Sequence, residues 1–276
     1  MALSCLCAPE LFDAFNKPAL IMGHPGHELK VLGWISAYKP RVYVLTDGSG
    51  RGLPRLHSTQ ELLTPLGMKT DAVFGLVSDA SLYEAILTQK IPWFLAVVDR
   101  ITQSLLRNCI DLVIADSMEG FNPAHDICRT LADAAVTAAS RKAGKQISNY
   151  GFCLTEWEHG RQEQHDSSCA HFALDDRALD NKLRAAHQYT ELRNEIHQAL
   201  ATRGQEYFRI ECLKKVSEPF SAWAYSGKPQ YEVCGEQRVA EGTYQSVIRY
   251  EEHMMPIIRA IQSHATASER VNPVTS

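Results

Sequence analysis

Long apolar runs are missing from this 276-residue chain, and no segment approaches the 18 or so uninterrupted apolar residues of a membrane span. The opening MALSCLCAPELF lacks a basic region, and its apolar run is too short for a signal peptide, so a cytoplasmic location is expected. An excess of one charge is missing too. The 28 basic and 32 acidic residues leave a formal net charge of −4. That excludes a strongly basic nucleic-acid footprint and gives an anionic membrane nothing to hold, while a small anionic or sugar substrate stays open. There are eight cysteines but no C-x-x-C pair. A zinc ribbon or thioredoxin-type motif is therefore not expected, and a chain of this length needs no disulfide staples. Internal repeats and low-complexity blocks are absent as well. What is present is ordinary for a globular protein: 45% apolar and 22% charged residues, enough for a sizeable core.

Length alone fits either two domains or one large α/β domain. The reading adopted is a single α/β domain over residues 1–276: a core sheet in 1–154, then an insertion loop, a long helix and C-terminal elements in 155–276. In the first half, short β-branched runs alternate with helical patterns, which is the signature of a mostly parallel, Rossmann-like sheet with helices on both faces. Strands are predicted at Pro18–Gly23, Arg41–Thr46, Asp71–Val77, Asp111–Asp116 and Ile147–Leu154. Helices are predicted over 28–38, over 60–66, in a stretch interrupted by Pro92, and from Asn122-Pro123 to Lys142, where Asn caps and Pro suits the first turn. Residues 155–171 are polar and rich in His and Glu, without periodicity, and read as a long loop over the cleft. One amphipathic helix is predicted over 177–203, a strand over 208–213, irregular chain over 217–247 and a terminal helix over 250–262 containing Pro256. The last dozen residues read as a frayed tail.

In open α/β sheets, ligands bind outside the carboxyl ends of the strands. Three such ends carry polar clusters: Gly23-His24-Pro25-Gly26-His27-Glu28, Thr46-Asp47-Gly48-Ser49, and the stretch from Asp116 through Glu119, Gly120, Phe121 and Asn122 to His125 and Asp126. His24 and His27 are three apart at a strand-to-helix turn, so both imidazoles can face one point, and His125 enters from another strand end. Any one of these histidines alone is more often a surface or capping residue. Three neutral imidazoles with an open position are the donor set of a catalytic zinc site. Asp47, Ser49, Arg51 and Arg55 are candidates for substrate hydroxyls or an anionic group, weighed against plain turn chemistry and surface charge.

Ala19-Leu-Ile-Met-Gly-His24-Pro25-Gly26-His27-Glu28 resembles the A-H-P-D-D-E motif of the LmbE/PIG-L-like N-acetylglucosaminyl deacetylases. Thr46-Asp47-Gly48 resembles their T-x-G, and Arg55, Glu61 and Leu66-Gly67 resemble their R…E…LG helix. Gly120-Phe-Asn122-Pro123-Ala-His125 sits where the family has G-x-H-P-D-H, and Lys182-Leu-Arg-Ala-Ala-His187-Gln resembles the later K-x-x-A-x-x-x-Q helix. The order holds across about two-thirds of the chain. The resemblance implies an LmbE-like fold and a zinc hydrolase that removes an acyl group from an amine. It also implies His24, His27 and His125 as ligands of Zn2+ or another divalent metal such as Fe2+. His27 replaces a carboxylate ligand, which makes the site one charge more positive. The family's general base falls at Gly26, which cannot take a proton. The histidine that assists the transition state falls at Asn122, which can donate a hydrogen bond to an oxyanion but cannot act as an acid.

Glu28, Asp126 or Glu119 could replace the base, as could His159, His165 or His171. The expected catalytic set is Asn122, Asp126 and Glu28. The expected activity is metal-dependent cleavage of an N-acyl group from a sugar-like or other polar metabolite, such as a glycan or amino-sugar conjugate. The alternatives are a non-catalytic glycan- or metabolite-binding descendant and a metalloenzyme of the same fold with other chemistry. Oligomeric state leaves no signature in the sequence.

Overall fold

Odd and even residues of the first strand feed two different cores, one on each side of a single sheet. β1 (Pro18–Met22) sends Ala19 and Ile21 to one face and Leu20 and Met22 to the other, and all four are buried. Strands covered on both faces read as continuous apolar runs rather than alternating ones, and β2 (Arg41–Thr46) and β4 (Leu112–Asp116) follow the same rule. The computed structural model describes residues 12–50, 52–154, 169–220 and 227–267.

The remaining strands are β3 (Lys69–Val77), β5 (Ser148–Phe152), β6 (Cys169–Ala173) and β7 (Ile210–Lys215). They form one seven-stranded sheet in the order β3-β2-β1-β4-β5-β7-β6. β1 to β5 run parallel, while β7 pairs antiparallel with β5 and with β6. The sheet is mostly parallel, with helices on both faces. One face carries α3 (Asp79–Leu87), α4 (Ile91–Arg107), α5 (Pro123–Ala143) and α9 (Met255–Ala267). The other carries α1 (Leu32–Tyr38), α2 (Leu56–Leu63) and α6 (Asp176–Gln188). The chain winds from β1 out to β3 and then crosses back to β4 on the opposite side of β1, where Ala19 pairs with both Arg41 and Val113. That reversal opens a crevice at the carboxyl ends of β1 and β4, the general ligand position of open α/β sheets.

α5 starts as its sequence dictates. The Asn122 side chain accepts from Ala124 N–H, Pro123 takes the first turn, and Gly144 closes the helix in the left-handed region. Buried on nearly all sides, α5 satisfies its one internal charge pair locally. Arg129 meets Asp133 at 2.6 Å and donates to Asn149 and to the Tyr150 carbonyl.

Several expectations are corrected. Pro92 does not interrupt a helix but lies in the first turn of α4, where its missing N–H costs nothing. The helix expected over 60–66 starts earlier, at Leu56, and the one expected over 28–38 opens as a 3-10 turn over His27–Val31. Residues 169–171 belong to β6 rather than to a loop; residues 155–168, with His159 and His165, lie outside the described part. The helix expected over 177–203 is broken into α6 and α7 (Arg193–Arg203), because Tyr189 turns inward to meet Thr59 and Glu28. A helix, α8 (Gln230–Ala240), occupies part of the stretch read as irregular. Pro256 is at the second position of α9, which runs to Ala267; the tail beyond it also lies outside the described part.

Candidate metal centre and cleft

β1 ends against a carboxylate. Gly23 N–H donates to Asp116 Oδ2 at 2.7 Å, and its carbonyl accepts from Thr46 N–H at 3.0 Å. A Cβ at Gly23 would lie 3.0 Å from Asp116 Oδ2 and 3.3 Å from the Ala124 carbonyl oxygen, so this close approach requires glycine. The next residue is His24, 5% exposed. Gly26 then takes φ +101°, and this sharp turn returns His27 to the same point. His125, one turn into α5, completes the group.

The three rings lie 4.7 to 5.1 Å apart between centroids, each pair close to perpendicular. One ring nitrogen from each lies within 4.8 Å of the other two. Such a group of nitrogens could hold one divalent ion among them. Two of the rings lie against carboxylates. His27 Nδ1 lies 3.0 Å from both oxygens of Asp116, which fixes Nδ1 as the protonated nitrogen and leaves Nε2 with its lone pair. His24 Nε2 lies 3.2 Å from Asp79 Oδ1, and Asp79 Oδ2 accepts from Gly50 N–H at 2.6 Å. His125 Nδ1 is buried with no hydrogen-bond partner among the described residues.

The electrostatics disfavour protonation of two of the imidazoles. Burial lowers the His27 pKa, against the pull of Asp116. Burial, with the neighbouring imidazoles, drives that of His125 well below its ordinary value. Both shifts favour the neutral imidazole, the form that metal ligation requires. Burial alone would raise the Asp79 pKa, but the hydrogen bond and charge of His24, with Thr46 and Gly50, hold it at about 2. A carboxylate–imidazole arrangement with an orphaned buried nitrogen fits a divalent metal better than it fits a packed core.

The other expected residues are distributed unevenly. Asn122 Oδ1 is taken by Ala124 N–H at 2.9 Å and by the Tyr83 hydroxyl at 3.3 Å, which leaves the amide NH2 as its free half. Asp126 is fully buried; Oδ1 accepts from Glu119 and Gly120 N–H, while Oδ2 has no partner among the described residues. Burial, opposed by those two N–H bonds, raises its pKa to about 7. Glu28 is buried, accepts from Gly26 N–H at 2.8 Å and from Tyr189 Oη at 3.1 Å, and has its pKa raised by burial. Glu119 Oε1 accepts from Leu154 N–H. Asp47 Oδ1 accepts from Ser49 N–H and Oγ, a turn closed on itself. Arg55 donates to the Pro25 carbonyl at 3.3 Å. Arg51 lies outside the described residues.

Gly26 holds a backbone conformation that side chains rarely adopt, and the tip of Leu192 occupies the space beside it. A Cβ there would sit 2.5 Å from Leu192 Cδ1. Leu192 follows Tyr189 in the break between α6 and α7, so the same break holds Glu28 and fills the space beside Gly26.

A cleft of ≈ 980 Å³ runs from Gly50, Phe121 and Asn122 to α8 and residues 243–248, and none of the three histidines lines it. Asp47, Ser49 and Arg55 do not line it. Sequence reasoning missed Asp79, Tyr83, Tyr231 and Arg238. Asp116 carried a signal, being an acid at the end of a fully buried strand. Asp79 carried none, because an acid in the first turn of a helix is ordinary.

No protein-family model and no curated protein matches the chain. Among solved structures, the zinc-inhibited form of teicoplanin deacetylase Orf2 is similar at 10% identity with a TM-score of 0.46, covering 73% of this chain and 99% of that one. The antimicrobial reagent A40926 pseudoaglycone deacetylase Dbv21 is similar at 15% identity with a TM-score of 0.47, covering 75% and 99%.

Proposed function

We propose that the chain is a metal-dependent hydrolase, zinc or another divalent ion such as Fe2+ serving as cofactor, which cleaves an N-acyl group from a sugar-like or other polar metabolite. The observation that carries this reading is the convergence of His24, His27 and His125, with two of the rings against Asp116 and Asp79. Its motifs, read with their resemblance to the LmbE/PIG-L-like deacetylases, point the same way. The chemistry such an ion supplies is Lewis acidity, which polarises an acyl carbonyl and makes water acidic enough to attack near neutral pH.

The protein's own groups take the remaining roles. His24, His27 and His125 hold the ion. The Asn122 NH2 donates to the carbonyl oxygen as negative charge develops on it, as oxyanion-hole amides do. Asp126, next to His125 and with Oδ2 unpartnered among the described residues, would take the proton that the attacking water loses and pass it to the amine nitrogen as the C–N bond breaks. Glu28 secures the turn that presents His27. Asp47, Ser49 and Arg55 are given no part in this reading, since the first two close a turn on each other, Arg55 holds the Pro25 carbonyl, and none of the three lines the cleft beside Asn122. A cytoplasmic placement belongs to the proposal, and no helix among the described residues is long and apolar enough to cross a membrane.

The test is release of free amine from a panel of N-acetylated amino-sugar conjugates by the metal-loaded protein. Turnover abolished by a chelator, and reduced about 100-fold in kcat by Asn122→Ala, is the expected result. Gly26, which cannot take a proton at the position of the resembled family's base, favours one second reading, a metabolite binder without turnover. Saturable binding of the panel with no amine released from any member would select it.

A further inference from the structure

The cleft beside Asn122, at ≈ 980 Å³, lies near the top of the roughly 300–1,000 Å³ of small-molecule sites, and Phe121 in its lining has its ring centroid 6.4 Å from that of His125. Its walls are mainly aromatic and aliphatic: Tyr83, Phe121, Tyr231, Tyr244, Leu87 and Ile248. Against them, Arg238 is the one cation and Glu241 the one carboxylate among the described lining residues.

Arg238 differs from the cations near it in the chain. Lys228 and Arg249 are neutralised by Glu232 and Glu236. The Arg238 guanidinium instead lies 5.1 Å from the centroid of the Tyr244 ring and donates to the Tyr244 hydroxyl. Among the described residues no carboxylate pairs with it. Glu241 accepts from Gln237 Nε2 at 3.0 Å. A guanidinium fixed against a ring keeps a rigid fork of donors, which matches a carboxylate or a phosphate.

We infer that the substrate has an aromatic or aliphatic body, seated against Tyr83, Phe121, Tyr231 and Tyr244, and an anionic group, carboxylate or phosphate, held by Arg238. The inference takes from the hydrolase reading only that the compound is an N-acyl amine. The anion subsite itself is read by binding and needs no turnover.

Equilibrium binding to the purified full chain tests it with two matched pairs. The first is N-acetylphenylalanine against its amide; the second is phenyl N-acetylglucosaminide against its 6-phosphate. In at least one pair the anionic member should bind about tenfold more tightly, as hydrogen bonds to a charged group allow. The pair that shows this preference identifies carboxylate or phosphate as the group recognised. Arg238→Gln should bring the two members to within about twofold without changing the affinity of the neutral one, and high salt should narrow the gap. Glu241→Gln, which removes the opposing charge, should widen it. Arg238 is exposed, so the variant should melt with the wild type. Equal affinities in both pairs, a preference that survives Arg238→Gln, or no binding of any of the four compounds would overturn the inference. Anion preference without hydrolysis would remove the hydrolase reading alone, and hydrolysis without preference would remove this one alone.

Discussion

The triad and the neighbouring cleft are built differently. The triad hangs from the carboxyl ends of β1 and β4, is almost wholly buried, and has a carboxylate against two of its imidazoles. The cleft's wall comes from α8 and residues 243–248, and much of it, Arg238 and Glu241 included, is exposed. The first is a preorganised donor set whose geometry is shared with the fold's own hydrogen bonds. The second can change without disturbing the sheet. Ion binding and substrate choice should therefore be separable by mutation.

Asp116→Ala is the largest expected breach of that separation, because one carboxylate serves both His27 and the Gly23 N–H. Loss of such a bracing group typically lowers metal affinity about 10–100-fold. The orphaned buried N–H should cost about 1–3 kcal/mol of stability besides. Metal titration and denaturant melts on the same sample would show both losses; loss of stability with unchanged metal affinity would mean that the brace is structural only.

Gly26→Asp comes next. On resemblance alone it restores the missing base, but a side chain there meets Leu192 and must adopt φ +101°. The expected outcome is a loss of about 1–3 kcal/mol of stability, with no gain in amine release over wild type. A stable, more active variant would show that the α6–α7 break yields easily and that the Leu192 tip is no obstacle.

Tyr83→Phe is the smallest. Its hydroxyl reaches Asn122 over 3.3 Å, a long bond with Ala124 N–H already holding the same oxygen. A change in kcat/KM within about threefold is expected, since a weak neutral hydrogen bond contributes less than about 1 kcal/mol. A loss as large as that of Asn122→Ala would mean that Tyr83, not the helix cap, sets the amide's orientation.

Legibility in the sequence divides along the same line. β1, β2, β4 and α5 were readable because each is buried on two sides or capped by its own residues, so local pattern and tertiary environment agree. The triad was readable from strand-end placement. The split between α6 and α7 was not, since helical periodicity runs through Tyr189 and only the distant Glu28 and Thr59 draw it inward. Nor was α8, whose polar turns leave little periodic signal and whose anchors come from elsewhere: Tyr231 N–H bonds to the Gly120 carbonyl, and Glu232 accepts from Arg249. The cleft wall is made by that part of the chain, which is why its residues escaped notice.

The most direct measurement is the metal content of the purified protein by elemental analysis, beside a His24→Ala/His125→Ala variant. About one equivalent of zinc or iron per chain in the wild type, lost in a folded variant, is the predicted result, since two of three ligands are removed. A wild type that holds no more metal than the variant, after incubation with either ion, would contradict the metal centre and the hydrolase built on it.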